Sequence, residues 1–375
     1  MHSSYKFLIV DTYYEKFLSS TYEANSQLTE MDYKDQISFL MGQCFGTADF
    51  YSVNLKKLGC DAEEVIANNE ILQYKWAQED SFTIGQPFLE KTFKHLPFLR
   101  RYVTTHNMLL KILEKQIKTM KPDILYMQNL SFCPPDFLRT AKKYVKIIVG
   151  QIACPLPPLE YLREFDLILT SFPHYVERFK NRGIKAEYFR IGFDASVLER
   201  AGSAERNYPC TFVGGISAEH KTGTYLLEEL ARRVEIDFFG YGAECLDRNS
   251  PIIPRHHGEV WGLSMYNTLL SSKLTINRHI DVAENYANNM RLYEATGCGA
   301  MLISDYKDNL HELFEIGKEI AAYKSIDELI ELIQYYGEHQ KEREQIGKAG
   351  QRRTLVNHSY YNRMAELQEI LTKYM

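Results

Sequence analysis

The chain has 375 residues, of which 45% are hydrophobic and 25% are charged, and its formal net charge is −5. This length predicts two domains or more, and the composition is that of an ordinary globular protein. The negative net charge argues against a general attraction to nucleic acid or anionic lipid, so that any basic site has to be local.

The seven cysteines are odd in number and include no Cys-x-x-Cys pair, which argues against a zinc ribbon and a disulfide framework. Buried, reduced thiols in a cytoplasmic protein are the expected alternative. The apolar run Phe7–Val10 is too short for a signal peptide, and no stretch approaches the ~20 apolar residues of a membrane span. We therefore expect a cytoplasmic protein without a transmembrane segment. Peripheral association with a membrane stays open.

Short apolar runs alternate with helical periods in the first half of the chain. The runs that predict buried strands are Phe7–Val10, Ile124–Met127, Ile147–Val149, Leu167–Leu169 and Glu187–Phe189. Between them, Met108–Met120 has the apolar spacing of a helix. This alternation predicts βαβ units and a parallel sheet. Residues 13–94 fit less well and are expected to form a mostly helical insertion, with helices at Tyr33–Met41 and Asp49–Leu58.

The same alternation starts again in the second half. Its predicted strands are Thr211–Val213, Ile236–Phe239, Leu274–Ile276, Met301–Ser304 and Ile320–Tyr323. Ser325 and Glu328 have the spacing of a capping box that begins a helix. The sequence thus predicts two consecutive α/β domains, at 1–192 and 208–358, joined by a polar linker at 193–207 and followed by a helix at 359–375.

In open parallel sheets, ligands bind beyond the carboxyl ends of the strands. Gly214 and Gly215 follow a predicted strand there, and backbone amides at such a turn can approach a diphosphate at the start of a helix. His220 and Lys221 are candidate donors to the phosphate oxygens. A tight turn with solvated charges is the alternative. A P-loop is disfavoured because His220 occupies the position where that motif needs glycine.

A second glycine turn, Gly240-Tyr241-Gly242, follows the next predicted strand. It begins like a dinucleotide fingerprint, but Cys245 stands where the third glycine would be. We interpret it as a turn beneath a nucleobase.

The most informative segment runs from residue 288 to 300. Arg291 and Glu294 are three positions apart on a predicted helix and therefore share one face. A carboxylate there can accept both hydroxyls of a ribose, and the arginine can hold phosphate. Asn289 and Leu292 complete the set of residues in this segment that are candidates for binding the donor substrate, the ligand that would carry the ribose and the phosphate. The alternative is an ordinary ion pair on a solvated helix.

Several motifs occur in one order and resemble CgeB-like (spore-maturation type) glycosyltransferases. The segments that carry the resemblance are Phe212–Gly215, Phe239–Gly242, His256–Glu259, Asn277–Asp281, Asn289–Asp305, Asn309–Phe314, Ala349–Arg353 and His358–Tyr360. The resemblance covers roughly residues 160–365. It implies a GT-B fold, in which two Rossmann-like domains are followed by a C-terminal helix that returns toward the N-terminal domain.

The resemblance also implies a nucleotide-diphosphate sugar as donor substrate, with Glu294 as the ribose ligand and Gly214 and Gly215 as the diphosphate turn. The acceptor would be a glycan or glycoconjugate, as in bacterial cell-surface polysaccharide synthesis. Many retaining GT-B enzymes have a glutamate eight positions before the ribose ligand, but here that position is Tyr286. Retention of anomeric configuration therefore does not carry over.

No cofactor or metal is expected. The Asp-x-Asp pair with which single-domain (GT-A) glycosyltransferases hold a divalent cation does not occur in the sequence. Helix dipoles and basic side chains can neutralise the leaving group instead. The neighbours His256 and His257 lack further ligands at suitable spacing. The sequence therefore predicts a metal-independent transferase.

The catalytic candidates are His279, Asp281 and Asp11. His279 and Asp281 follow a predicted strand end, and histidine titrates near neutrality as a general base should. His279 could equally hydrogen-bond the sugar or the diphosphate. In the first half, Asp11 is a candidate base of an inverting reaction, with a turn cap as its alternative, and Gln151 is an acceptor-side candidate. A sugar-nucleotide epimerase and a catalytically silent carbohydrate-binding protein are the competing functions.

Overall fold

The computed structural model describes residues 5–82, 97–216 and 221–375, without the side chains of 97–104 and 221–222. The chain divides into two compact units. Unit 1 contains residues 1–170, 174–188 and 364–375, and unit 2 contains residues 171–173 and 189–363.

Unit 1 is built on a parallel sheet of six strands with the order β2-β1-β3-β4-β5-β6. The strands are β1 (Lys6–Asp11), β2 (Asp61–Ile66), β3 (Ile124–Met127), β4 (Ile147–Gln151), β5 (Leu167–Thr170) and β6 (Ala186–Tyr188). Both faces of the central strands are buried, as in Phe7–Val10. That burial explains why these strands are continuous apolar runs instead of alternating ones.

Helices connect the strands of unit 1. They are α1 (Glu15–Ala24), α2 (Tyr33–Gly42), α3 (Phe50–Lys57), α4 (Glu70–Glu79), α5 (Pro97–Met120), α6 (Pro135–Ala141), α7 (Leu159–Leu162) and α8 (Pro173–Lys180). The helices expected at Tyr33–Met41 and Asp49–Leu58 correspond to α2 and α3. The mostly helical insertion also contains a strand, β2, that the sequence pattern did not reveal.

Unit 2 is built on a parallel sheet of five strands with the order β11-β10-β9-β7-β8. The strands are β7 (Tyr208–Val213), β8 (Asp237–Phe239), β9 (Ser272–Asn277), β10 (Met301–Asp305) and β11 (Ala321–Tyr323). On one face, Phe212, Ile276 and Ile303 pack in a single apolar cluster with Leu230 and Leu329. Burial of these side chains is the main force that holds the helices to the sheet.

The helices of unit 2 are α9 (Ser196–Ala201), α10 (Lys221–Arg233), α11 (Gly262–Leu270), α12 (Met290–Gly297), α13 (Leu310–Leu313), α14 (Ile326–Glu338) and α15 (Gln340–Asn357), and α16 (Tyr360–Leu371) begins in this unit. The predicted N-cap of α14 forms, since Ser325 accepts from the Glu328 nitrogen at 3.2 Å, while Glu328 accepts from the nitrogen of Lys324, the residue before the cap, at 2.7 Å. From residue 364 onward the C-terminal helix belongs to unit 1.

Two features differ from the sequence-based expectation. Residues 193–207, expected as a linker, belong to unit 2, because Val197 of α9 is fully buried there. Two of the seven free cysteines, Cys154 and Cys245, are exposed instead of buried. Among the described helices, none combines the length and hydropathy needed to cross a membrane.

Candidate functional site

The carboxyl edge of the unit 2 sheet collects most of the residues that the sequence singled out. Four neighbouring parallel strands, β8, β7, β9 and β10, end there at Phe239, Val213, Asn277 and Asp305. The loops that leave these strands carry glycines, an arginine, a histidine and two asparagines. This edge is where open parallel sheets bind ligands.

The two glycine turns interlock. Gly214 donates its N–H to the Phe239 oxygen at 2.9 Å, and Ile216 donates to the Tyr241 oxygen at 2.8 Å. A Cβ on Gly215 would lie 2.5 Å from Cζ of Tyr241. Packing between the turns therefore accounts for Gly215, and it occupies the Gly214 amide, one of the two that were expected to hold a diphosphate. Among the described residues, none accepts the Gly215 N–H.

Arg278 lies at the start of helix α10, and the sequence analysis did not select it. Its guanidinium packs against the place that a Cβ of Gly223, in the first described turn of α10, would occupy. The Arg278 side chain is 14% exposed and pairs with Asp281 at 2.8 Å. A cation beside a helix N-terminus is unfavourable, because that end already carries positive partial charge. The arrangement therefore favours an anion at this place. The feature of the sequence that could have indicated Arg278 is a basic residue directly after a buried strand.

His279 is buried and held by Asp305. The Asp305 carboxylate accepts from the backbone nitrogen of His279 at 3.1 Å and contacts ring Nδ1 at 2.7 Å. Burial disfavours the charge on Asp305, but the hydrogen bonds from His279 and the charge of Lys307 outweigh it and lower the pKa of this carboxyl. A proton on Nδ1 leaves Nε2 as the reactive atom. Nε2 is buried and finds no hydrogen-bond partner among the described residues.

Asparagines join this histidine to helix α12. The Asn289 side chain caps α12 by accepting from the Leu292 nitrogen at 3.3 Å, and it donates to Asn277 Oδ1 at 2.8 Å. Neighbouring Asn288 accepts from the Tyr293 hydroxyl at 2.7 Å, while its buried Nδ2 has no partner in the described part of the chain. An unpaired buried polar atom costs about 1–3 kcal/mol, so two of them in one loop call for an explanation such as a ligand.

Arg291 and Glu294 form the predicted pair. Arg291 Nη1 lies 2.8 Å from Glu294 Oε2, and the Tyr266 hydroxyl donates to Oε1 at 3.5 Å. Burial raises the pKa of Glu294, and the Arg291 charge and the Tyr266 hydrogen bond oppose that rise. A carboxylate has about four acceptor positions, so those that remain can take further hydroxyl donors.

Helix α11 connects this pair to the glycine turns. Arg291 contacts the sulfur of Met265 at 3.1 Å, one turn after Trp261. The Trp261 ring stacks on Tyr241, with centroids 5.4 Å apart and 12° between the planes, and Tyr241 covers Gly215. Aromatic rings and the Arg291/Glu294 pair thus belong to one continuous surface of unit 2.

The other residues predicted for this site take different positions. Asp281 is exposed and paired with Arg278. Leu292 is fully buried, so only its backbone contributes, as the capped N–H of α12. His220 lies outside the described residues. Lys221 begins α10, and its side chain is not described.

The adjacent histidines His256 and His257 bond different partners. His256 Nε2 contacts the Gly240 oxygen at 2.9 Å, and His257 Nε2 contacts Asp237 at 2.7 Å. Across residues 5–82, 97–216 and 221–375, no three His, Cys, Asp or Glu side chains gather as a ligand set for a metal.

Asp11 belongs to unit 1, at the end of β1. Its Oδ1 accepts from the nitrogen of the next residue, Thr12, at 2.7 Å. Burial raises the pKa of Asp11 to about 7, and the Thr12 hydrogen bond opposes the rise. The carboxyl can therefore exchange a proton near neutral pH. Gln151 accepts hydrogen bonds from the Tyr51 and Tyr126 hydroxyls, at 2.9 and 2.6 Å.

Comparison with solved structures identifies the architecture. Sucrose-phosphate synthase from Thermosynechococcus elongatus matches with a TM-score of 0.59 and 9% identity, over 98% of both chains. HepE from Anabaena, in complex with UDP and glucose, matches with a TM-score of 0.59 and 12% identity, over 98% of this chain and 100% of that one. A glycosyltransferase from Rickettsia africae matches at 0.58 and 13%, over 99% of both. The chain has the GT-B fold.

The sequence comparison points to the second half of this GT-B chain. A family profile described as Glycosyl transferase-like matches residues 221–369, which is less than half of the 375 residues. The matched segment begins at α10 and includes Arg278, His279, Arg291, Glu294 and Asp305. No curated protein sequence matches the chain.

Proposed function

We propose that the protein is a glycosyltransferase that takes a sugar from a nucleotide-diphosphate donor bound at the carboxyl edge of the unit 2 sheet. The observation that carries the proposal is the meeting of a cation and a helix N-terminus at one place, where Arg278 packs on Gly223. Both features attract the same ligand, an anion, and the carboxylate that pairs with Arg278, Asp281, is itself exposed. The GT-B fold and the family profile support a sugar nucleotide as the source of that anion.

Each part of the donor has a candidate partner. The diphosphate would contact the Gly215 N–H, the first amides of α10 and Arg278. The ribose hydroxyls would donate to Glu294, whose carboxylate Arg291 holds in place. Tyr241 and Trp261 supply aromatic surface near the glycine turns. As the leaving group departs, the positive groups around the diphosphate stabilise its growing charge, and no metal is needed for that step.

His279 would act at the sugar. Asp305 fixes its ring and accepts a hydrogen bond from Nδ1–H, so that Nε2 presents its lone pair. Nε2 can then accept the proton of an attacking hydroxyl or hydrogen-bond a hydroxyl of the donor sugar. A partner for Nε2 in the bound state would also remove the cost of leaving this atom buried and unpaired.

UDP-sugars are the first donors to test, because HepE, which shares the fold, is recorded with UDP and glucose. The proposal keeps the remaining parts of the resemblance: a CgeB-like subtype, a glycan or glycoconjugate acceptor of bacterial surface polysaccharide synthesis, and a cytoplasmic location with or without peripheral contact to a membrane.

The deciding experiment measures thermal unfolding of the full chain with UDP-, GDP-, dTDP-, CMP- and ADP-sugars. A true donor at 100 times its Kd stabilises the folded state by about 2.7 kcal/mol and must raise Tm. Release of nucleotide from that donor is then measured with a glycan acceptor mixture, with and without EDTA. We expect release that depends on acceptor and is insensitive to EDTA.

Other outcomes would change the assignment. Conversion of the donor sugar in the absence of any acceptor would identify an epimerase. Binding of free sugars without any effect of nucleotide sugars would identify a carbohydrate-binding protein and refute the donor site. Loss of activity in EDTA, restored by a divalent cation, would refute metal independence.

A further inference from the structure

Unit 2 contains a cavity of about 190 Å³ at the amino edge of its sheet. Lys273 and Met301, at the beginnings of β9 and β10, line it, whereas the candidate donor site lies where the same strands end. A strand of five residues at ~3.3 Å per residue places the two sites roughly 13 Å apart. Sites for drug-sized molecules measure about 300–1,000 Å³. This cavity is smaller and therefore suits a compact ion.

Basic side chains reach this cavity from three separate elements. Arg206 comes from the segment before β7, Lys273 from β9 and Arg343 from the first turn of α15. Glu344 is the one carboxylate among the described residues that line the cavity. Three cations thus share a small space with one carboxylate, and the wall attracts an anion.

Backbone carbonyls fix the Arg206 guanidinium. It donates to the Ser272 oxygen and, at 3.1 Å, to the Cys298 oxygen. A Cβ on Gly299 would lie only 3.1 Å from Nη2 of Arg206, so the glycine gives the guanidinium room to approach. A guanidinium has five N–H donors, and these two contacts leave donors that a ligand can use.

Arg343 is fixed in the same way at the end of α14. It is 7% exposed and donates to the Tyr336 oxygen at 2.6 Å and to the Gly337 oxygen at 3.0 Å. Burial lowers the pKa of Arg206, and the charge of Arg343 lowers it as well, against the charge of Glu344. The two guanidinium groups are therefore close enough to repel each other. Carbonyl oxygens orient them, but an anion is needed to neutralise them.

The other two charged groups of the wall are more accessible to water. Lys273 is half-buried and brings an ammonium with three donors on a flexible stem. Glu344 is exposed and accepts from Gln340 at 2.8 Å. Water and salt screen an exposed carboxylate, so Glu344 compensates the buried Arg343 only in part.

We propose that this cavity binds a compact dianion of the phosphate type, either inorganic phosphate or the phosphate group of a monoester. Two guanidinium forks and an ammonium are the groups that proteins use to hold several phosphate oxygens at once. The inference does not rest on the proposed transferase function, because the wall belongs to the opposite edge of the sheet from the donor site.

The test is calorimetric titration of the full chain with inorganic phosphate, and with acetate for comparison, at constant ionic strength and at about pH 8, where phosphate groups are doubly charged. Every chain carries Arg278→Ala, because the donor site can also attract phosphate. We expect one phosphate per chain and at least tenfold weaker binding of acetate. Lys273→Gln should weaken phosphate binding at least fivefold, because it removes one of the three cations. Lys348→Gln, an exposed change on α15 outside the cavity, should alter it less than twofold.

A variant that gains affinity protects the test against misfolding of Lys273→Gln. Glu344→Gln removes the carboxylate of the wall and should tighten phosphate binding at least threefold, whereas Glu229→Gln, on α10, should not. Tighter binding of glycerol 3-phosphate than of phosphate would identify a monoester as the ligand, and equal or weaker binding would identify free phosphate. Absence of phosphate binding, equal binding of acetate, or an unchanged affinity in Lys273→Gln or Glu344→Gln would overturn the inference.

Discussion

The Asp305 carboxylate contacts His279 both at its backbone nitrogen, 3.1 Å away, and at ring Nδ1, 2.7 Å away. The double contact fixes the ring plane and its tautomer, as a carboxylate does for a catalytic histidine in other enzymes. The opposite atom, Nε2, is buried without a described partner. The arrangement of His279 and Asp305 therefore restricts proton transfer to one atom, Nε2 of His279.

His279→Ala should lower kcat at least ~100-fold, with donor Kd changed less than about twofold, because removal of a general base affects the chemical step. Steady-state kinetics combined with calorimetry checks this. Asp305→Asn should lower kcat as well, because an amide does not select the Nδ1–H tautomer of the ring as the carboxylate does. Asp308→Asn, an exposed change nearby, is the control. A collapse of donor affinity in His279→Ala would show a binding residue instead of a base.

Variants of Arg278 and Asp281 can distinguish the roles of these two residues. If the guanidinium holds the diphosphate, Arg278→Ala should weaken nucleotide-diphosphate affinity at least tenfold, because a charge-assisted hydrogen bond to phosphate contributes ~1.5–3 kcal/mol. Asp281→Asn breaks the same ion pair but leaves the cation, so affinity should be unchanged or higher. Equal losses in both variants would show that the ion pair only supports the loop.

Glu294 has a matched control elsewhere in unit 2. Glu294→Gln should weaken nucleotide binding, because one acceptor oxygen becomes a donor toward the ribose and Arg291 loses its ion pair. Glu229 forms an ion pair of the same three-residue spacing with Arg232 on α10, outside the site, and Glu229→Gln should leave binding unchanged. Calorimetry that finds equal affinity in wild type and Glu294→Gln would remove Glu294 from the donor site.

The sequence predicted the strands that are buried on both faces, because such strands are continuous apolar runs. It missed β2 (Asp61–Ile66), an edge strand that contains one aspartate and two glutamates. One of them, Glu64, is held by the Ser52 nitrogen at 3.0 Å, a contact that only the packing of α3 on the sheet creates. Because of its acidic residues, β2 lacks a continuous apolar run, and a strand that is stabilised by tertiary contacts was not predicted from the sequence.

The candidate site shows the same limit. Arg291 and Glu294 could be paired from the sequence because helix geometry is local. His279 and Asp305 lie 26 residues apart and meet only because β9 pairs with β10, with Ser304 opposite Asn277. The contact of Arg278 with Gly223 depends likewise on the placement of the start of α10 beside the loop that follows β9. Strand order and register cannot be inferred from a single sequence, so these partners could not be predicted.

Ionised Asp11 should lower the stability of the folded chain at the pH where this carboxylate could act as a base. Its pKa rises from 3.8 to about 7 in the folded chain, so folding is penalised progressively as pH rises from 4 through 7. Asp11→Asn should therefore gain stability relative to wild type at pH 8, by about 1–3 kcal/mol because the group is partly exposed, and nothing near pH 4. Urea unfolding at both pH values checks this.

Turnover of Asp11→Asn then distinguishes its two roles. Asparagine keeps the oxygen that accepts the Thr12 N–H, so a turn cap would survive the change with activity intact. A base would not survive it, and kcat should fall at least ~100-fold.

His358 accounts for a second, opposite pH dependence within unit 2. The ring is buried against Tyr293 and Phe314. It donates from Nε2 to the Leu313 oxygen at 2.8 Å and accepts at Nδ1 from Arg363 at 3.1 Å. Burial, together with the charges of the nearby arginines and against the Leu313 hydrogen bond, lowers its pKa from 6.5 to about 4. The neutral ring is therefore the form that the fold accepts.

Stability should consequently fall as the pH drops from 6.5 to 4, because the unfolded chain takes up a proton at His358 that the folded chain refuses. The loss amounts to about 3 kcal/mol at pH 4. His358→Gln should flatten the decline over this window whatever its stability at pH 7, while His311→Gln, an exposed histidine of α13, should leave the slope unchanged. Equal slopes for wild type and His358→Gln in urea unfolding from pH 7 to 4 would mean that protonation of His358 does not drive acid unfolding.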